Sequence, residues 1–179
     1  MQGLAAFVRL VDRFNDLVGR TIAWLIFGSV LICASTAIMR YALNIGFVWM
    51  QELYIVLFGL NFTLAAGWAY YKNQHVRVDL LHIRMNERRR AWVELIGFFV
   101  LLLPWLAVII YAAVPFVGLS WRILESSSQA SGMPGVFLYK TAIPIFCFVL
   151  GVQGLAAVSR SVLVLANRQD LLPPRGDAA

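Results

Sequence analysis

The chain has 179 residues, of which 61% are hydrophobic and only 13% are charged, with a net charge of +6. Soluble domains carry about 25% charged residues, and disordered chains have low hydrophobicity. The composition therefore excludes a disordered chain. It also argues against a water-soluble enzyme, because so few polar groups would not cover its surface.

The first 20 residues show helical spacing of their apolar side chains. These are Phe7, Leu10, Val11, Phe14, Leu17 and Val18. Charged residues fall mostly between them, which predicts an amphipathic helix over 1–20 lying on the membrane surface. The uncharged run that follows is longer than the core of a usual signal peptide, so we expect this segment to be retained.

Four stretches without any charged residue follow, at 21–39, 53–71, 95–121 and 141–159. A membrane core of about 30 Å needs about 20 apolar residues in a helix, and backbone groups in lipid must be satisfied within the helix. We therefore predict an all-α integral membrane protein that forms one domain over 1–179. Its four transmembrane helices are expected at 21–41, 47–71, 92–121 and 137–165. The connections are a middle loop at 72–91, an outer loop at 122–136 and a tail at 166–179.

Basic residues predict the orientation of these helices. Twelve of the 15 Lys and Arg residues lie in the N-terminal segment, in the middle loop, or from Arg160 at the end of the fourth uncharged run to the C-terminus. The positive-inside rule therefore places both termini and the middle loop in the cytoplasm. The basic net charge then reflects topology and anionic lipid rather than nucleic acid. Arg88, Arg89 and Arg90 open the third helix and are predicted to contact anionic lipid.

The sequence shows no motif for chemistry. It has no phosphate-binding glycine loop, no HExxH and no Gly-x-Ser-x-Gly, so we predict no catalytic, cofactor-binding or metal-binding residues. Cys33 and Cys147 lie within predicted spans without metal-binding spacing and are expected to be apolar core residues. The span centres carry no charge, although a self-sufficient proton-coupled transporter would need an ionisable residue there. The pattern favours a helper subunit of a larger complex.

Two other functions stay open. A membrane anchor of a respiratory or redox complex would bind haem through histidines within its spans, whereas His75 and His82 both fall in the middle loop. A small autonomous transporter would be expected to show internal repeats or broken helices, and we find no convincing repeat.

Several polar residues are candidates for contacts inside the membrane or at its edges. Asn61 in the second span and Gln153 in the fourth are predicted to hydrogen-bond to another helix or to a partner subunit. Glu52 begins the second span, where a negative charge suits a helix N-terminus, and Arg40 at the end of the first span is a candidate partner for it.

The outer loop is polar and rich in turn residues, as binding loops often are. Arg122, Glu125 and Lys140 supply its charges. They are candidates for docking a soluble partner, and the alternative is an ordinary solvated connection.

Four stretches together suggest a family. Val48-Trp49-Met50-Gln51-Glu52-Leu53 opens the second span, and His75-Val76-Arg77-Val78-Asp79 follows it. Two further stretches follow in the outer loop and at the start of the fourth span, namely Gly132-Met133-Pro134 and Lys140-Thr141-Ala142-Ile143-Pro144. The chain resembles, over about residues 21–160, the small DctQ-like membrane subunit of tripartite ATP-independent periplasmic (TRAP) transporters.

This resemblance implies a role in transport. In such systems an extracytoplasmic binding protein delivers an organic anion, often a carboxylate, to a complex of one small and one large, DctM-like subunit in the bacterial inner membrane. The large subunit is thought to carry the transport site and the sodium sites, so this chain would be a scaffold that binds neither. Residues expected in structural or subunit contacts are Trp49, Glu52, Asn61, His75, Arg77, Asp79 and Gln153.

Overall fold

A computed structural model describes residues 1–72 and 85–172 of the chain. Every regular element in these two ranges is helical. The helices are α1 (Gln2–Ala42), α2 (Val48–Tyr71), α3 (Glu87–Gly97), α4 (Leu103–Arg122), α5 (Val136–Lys140) and α6 (Ala142–Leu165). A π-helical segment, Phe98–Leu102, joins α3 to α4, and a short 3₁₀ turn, Gln169–Leu171, follows α6.

Four helical stretches in the described part of the chain are long and apolar enough to cross a membrane. They are Gln2–Ala42, Val48–Tyr71, Glu87–Arg122 and Val136–Leu165. The fourth combines α5 and α6, which meet at Thr141. The prediction of an all-α chain with four helices of this kind is confirmed, while the orientation of the termini stays a prediction.

α1 is a single helix about 60 Å long, which is about twice the thickness of a membrane core. It has no break at residue 20, the predicted boundary between a surface helix and the first span. The apolar residues of its first half also divide between two faces. Val8 and Val11 are buried, whereas Leu10, Phe14 and Leu17 are exposed. The position of residues 1–20 relative to the membrane stays a prediction.

α6 is the centre of the packing, because it contacts α1, α2, α3 and α4. Two small apolar clusters form there. Val8, Val11 and Ala156 join α1 to α6, and Leu106, Cys147 and Leu150 join α4 to α6. Large apolar side chains elsewhere remain exposed on the outward faces of the helices, as expected of surfaces that face lipid or another membrane subunit.

The third span changes helical type near Pro104. Proline has no N–H to donate to the carbonyl four residues earlier, and its ring clashes with that carbonyl. The chain accommodates this with the π segment, in which the Leu103 N–H bonds to the Phe98 carbonyl five residues back. The segment presents Phe98 and Leu102 to Gly154 of α6, where a side-chain Cβ would lie 2.5 Å from the Phe98 ring and 2.9 Å from Leu102.

The two cysteines differ from each other. Cys147 is buried in the cluster between α4 and α6, as predicted for a core residue. Cys33 is exposed on α1, so the prediction that it lies in the core is wrong. Apolar periodicity does not distinguish a core face from a lipid-facing one when the whole helix is apolar.

Candidate functional site

Glu52 holds the outer loop against the beginning of α2. One of its carboxylate oxygens accepts a hydrogen bond from the Ser127 hydroxyl, and the other accepts one from the Met133 backbone N–H at 2.6 Å. Gly132 fits beneath this contact, because a Cβ there would clash with Ser127 and approach the Glu52 carboxylate. Glu52 therefore fixes the path of a loop that is distant from it in sequence.

The suggested pairing of Glu52 with Arg40 is not formed. Both Glu52 oxygens are bonded to residues of the outer loop, and Arg40 is exposed at the end of α1. The sequence argument placed Glu52 at the N-terminus of the second span. α2 begins at Val48 and has no acidic residue in its first turn, so the Glu52 carboxylate serves the outer loop instead of the helix end.

A second contact at the outer end joins three side chains. Lys140 Nζ lies 2.6 Å from Glu125 Oε2 and 3.1 Å from Ser120 Oγ, while the Ser120 hydroxyl donates to the same Glu125 oxygen. The Lys140 ammonium also lies 4.1 Å from the centre of the Phe116 ring, a favourable cation–π arrangement. These contacts close the outer loop onto α4 and α5.

The Glu125 carboxylate is stabilised in its charged form. Its hydrogen bonds with Lys140 and then with Ser120 hold its pKa below the ordinary value for glutamate. Of the three predicted docking residues, Glu125 and Lys140 are thus occupied with each other, with side-chain exposures of 30% and 14%. Arg122 is exposed at the end of α4.

A cavity of about 700 Å³ lies next to these two contacts. One wall is a single face of α2, and the other is the outer loop with α5 and the start of α6. The lining residues of α2 are Glu52, Ile55, Val56, Gly59, Leu60 and Thr63. The cavity is mostly apolar, with Glu52, Glu125 and Lys140 among its polar lining residues. Trp49 precedes the first lining residue of α2 by three positions. Its side chain is half exposed, and its ring lies next to the ring of Phe47.

The predicted polar residues within the spans bind other helices of this chain. Asn61 donates from Nδ2 to the Ile22 carbonyl of α1 at 2.8 Å. Gln153 accepts from Asn15 of α1 at 2.6 Å. Both side chains therefore serve contacts between helices, and both have partners in α1.

A buried ion pair lies near the Asn15–Gln153 contact and was not predicted. Arg160 of α6 pairs with Asp12 of α1, and each side chain is only 8% exposed. Asp12 Oδ1 and Asn15 Oδ1 are buried and have no hydrogen-bond partner among the described residues. Arg160 ends the fourth uncharged run in the sequence, so its position was visible, but Asp12 looked like part of a solvated helix face.

Trp68 of α2 also contacts this part of α1. Its indole N–H donates to Asp16 at 3.3 Å, and its ring lies over Gly19 of α1. The same end of the molecule contains the contact between Ser161 of α6 and Glu94 of α3 at 3.0 Å. α1, α2, α3 and α6 are thus fastened together at the end where the charge bias places the cytoplasm.

Three predicted residues, His75, Arg77 and Asp79, lie outside the described residues. Arg88, Arg89 and Arg90 form the exposed first turn of α3. Among the described residues, no group of three or more His, Cys, Asp or Glu side chains could hold a metal ion.

Comparison with known proteins gave one family. Residues 29–164 match the family model for the DctQ component of tripartite ATP-independent periplasmic transporters. This region includes the C-terminal part of α1, all of α2, α3, α4 and α5, and most of α6. Comparisons with curated proteins and with solved structures gave no significant match.

Proposed function

Because the chain belongs to the DctQ family, the small membrane component of TRAP transporters, we propose that it is the scaffold subunit of a complex that imports an organic anion. The observation that carries this proposal is the family match over residues 29–164. The family also implies its two partners, a large DctM-type subunit and a substrate-binding protein. The anion is expected to be a carboxylate, and import is expected to be driven by a sodium gradient.

The contacts inside the chain support a scaffold role. Asn61, Gln153 and Arg160 each bind another helix of this chain, so these polar groups stabilise the bundle rather than form a route for a solute. The outward faces of α1 and α4 expose large apolar side chains, which are available to lipid and to the large subunit. Trp49, together with His75, Arg77 and Asp79 of the middle loop, is proposed to contribute to the subunit contact.

We further propose that the outer loop helps to dock the binding protein. Glu52 and the Glu125–Lys140 pair hold the loop in one shape, which reduces the entropy lost on binding. Arg122 is then the exposed charge at its base, and it would meet an acidic group on the binding protein. The complex would lie in the bacterial inner membrane, with both termini of this chain in the cytoplasm.

Co-purification tests the proposal most directly. The chain is tagged and expressed with its chromosomal neighbours, and the membranes are extracted in a mild detergent. An untagged, many-span subunit should elute with it in a fixed ratio. If the tagged chain elutes alone under conditions that preserve its fold, the scaffold proposal fails.

Transport measurements complete the test. Ligands of the neighbouring binding protein are first identified by their effect on its thermal unfolding. Vesicles containing both membrane subunits should then take up that ligand only with the binding protein and an inward sodium gradient. Vesicles containing this chain alone should show no uptake, and uptake by the chain alone would favour an autonomous transporter instead.

A further inference from the structure

A small groove lies between the first half of α1 and the end of α2. Its volume is about 380 Å³. Charged and aromatic side chains line it, namely Arg9, Asp12, Arg13, Asp16, Arg20 and Tyr71. On α1 the positions 9, 13, 16 and 20 recur at helical spacing, so these side chains share one face. The groove is therefore a continuous charged strip closed on one side by the end of α2.

The carboxylates of the groove already have cationic partners. Asp12 pairs with Arg160 inside the bundle. Asp16 pairs with Arg20 at 2.8 Å and accepts a hydrogen bond from Trp68. Arg9 and Arg13 are both exposed and have no carboxylate partner in the part of the chain that the structure describes. They lie one helical turn apart, and the groove is left with a net positive charge at these two guanidinium groups.

An apolar surface runs from the groove towards the first uncharged run. Leu17 lines the groove itself and is 67% exposed. Trp24 lies seven residues, or about two helical turns, further along the same face of α1 and is 72% exposed. Two cationic groups followed by an apolar strip match the shape of a phospholipid, whose phosphate lies at the interface and whose chains enter the membrane core.

The charge bias of the connections places this end of α1 at the cytoplasmic leaflet, where anionic lipids are available. We propose that the groove binds the phosphate of an anionic glycerophospholipid, with Arg9 and Arg13 as its ligands and Leu17 against the start of an acyl chain. Guanidinium groups suit this task because they can donate two parallel hydrogen bonds to phosphate oxygens. The proposal requires that the first half of α1 lies at the cytoplasmic surface of a membrane, and it does not depend on the role of the chain in transport.

The site is separate from the cluster Arg88, Arg89 and Arg90. Those side chains lie on the exposed first turn of α3 and are not part of the groove. A diffuse attraction would treat all exposed basic residues alike, whereas a defined site would depend on Arg9 and Arg13 above the others.

Native mass spectrometry of the full-length chain in mild detergent tests the proposal. Phosphatidylglycerol is titrated against the wild type, against the double variant R9Q/R13Q and against the control R40Q/R168Q. The control removes the same charge from two other exposed arginines. Each lost phosphate ligand should weaken binding about fivefold, or about 25-fold for the double variant. The control should stay within about twofold of the wild type.

Three further measurements make the result decisive. Phosphatidylcholine, which carries no net charge, should bind the wild type at least about tenfold more weakly than phosphatidylglycerol. Inorganic phosphate should not displace the lipid, and displacement at equal concentration would identify a free anion as the ligand. Equal losses in R9Q/R13Q and R40Q/R168Q would overturn the proposal in favour of diffuse attraction. If the double variant does not fold, the single variants Arg9→Gln and Arg13→Gln should each show the fivefold loss.

Discussion

Two buried side chains, Asp12 and Arg160, form an ion pair between α1 and α6. A buried ion pair gives little net stability relative to apolar residues, because both charges lose their hydration. Removing one partner is costly, however, since it leaves the other charge buried and unpaired. The pair therefore works mainly as a constraint on how the two helices meet, and the nearby Asn15–Gln153 bond has the same effect.

Replacing Arg160 alone should strongly destabilise the fold. We expect Arg160→Met to cost about 3–5 kcal/mol, because Asp12 would remain buried without its partner. The double variant D12L/R160M should recover most of this loss. Thermal unfolding in mild detergent measures both, and Arg168→Met, which changes an exposed arginine near the end of the same helix, is the control. A double variant as unstable as Arg160→Met would show that the charge pair is not the cause.

The Glu125–Lys140 contact should make stability depend on pH on the acid side. Folding lowers the pKa of Glu125, so its contribution is fully present above the unfolded value of about 4.3. It is lost as the pH falls through the lower folded value. The difference in unfolding temperature between the wild type and Glu125→Gln should therefore be constant near pH 6–7 and shrink below about pH 4.3.

A second variant identifies the cause of that dependence. In a Lys140→Met background, the substitution Glu125→Gln should have a smaller effect at neutral pH, because the main partner of the carboxylate is missing. An unchanged effect of Glu125→Gln in that background would contradict the assignment of Lys140 as the partner.

At the scale of elements, the number and type of helices followed from the uncharged runs, because a membrane helix needs only length and apolar character. The contacts between these helices could not be predicted from the uncharged runs. The sequence identified Asn61 and Gln153 as polar groups that need partners, but it did not identify the partners. These are the Ile22 carbonyl and the Asn15 side chain, both in α1. Partner identity depends on helix rotation and crossing angle, and four almost uniformly apolar helices give little periodic signal for either.

The π segment illustrates another limit. Next to Pro104 the third span changes its hydrogen-bond register, and this change places Phe98 against Gly154. Which glycine of α6 would receive that ring was not visible in the sequence, because Gly151 and Gly154 are one turn apart and look equivalent.

These two glycines should respond in opposite ways to alanine. Gly154→Ala should destabilise the protein by about 1–3 kcal/mol, because its Cβ would overlap the Phe98 ring and crowd Leu102. Gly151→Ala meets only Leu106, at an ordinary distance of 3.6 Å. It should be neutral or stabilising by up to about 1 kcal/mol, since alanine favours a helix over glycine. Thermal unfolding compares them, and equal destabilisation would contradict close packing at Gly154.

At the scale of the whole molecule, the two ends of the bundle are built differently. The outer end is closed by a loop fixed to Glu52 and by the Glu125–Lys140 pair. The opposite end is closed by α1, which crosses beside α6 through Asp12 and Asn15. Contacts that fix both ends of the bundle suit the proposed scaffold role, because less conformational entropy is lost when a preorganised surface binds a partner. The orientation in the membrane therefore bears on function, because the proposed docking role requires the outer loop to lie on the same side as the binding protein.

Accessibility of introduced cysteines should reveal that orientation. In a background with C33A and C147A, the variant Ser128→Cys in the exposed outer loop should react with a membrane-impermeant maleimide in spheroplasts. Gly3→Cys and Arg168→Cys, also at exposed positions, should react only after the membrane is permeabilised, because the positive-inside rule places both ends in the cytoplasm. The reverse pattern would invert the topology, and it would remove the outer loop from the side on which the binding protein is found.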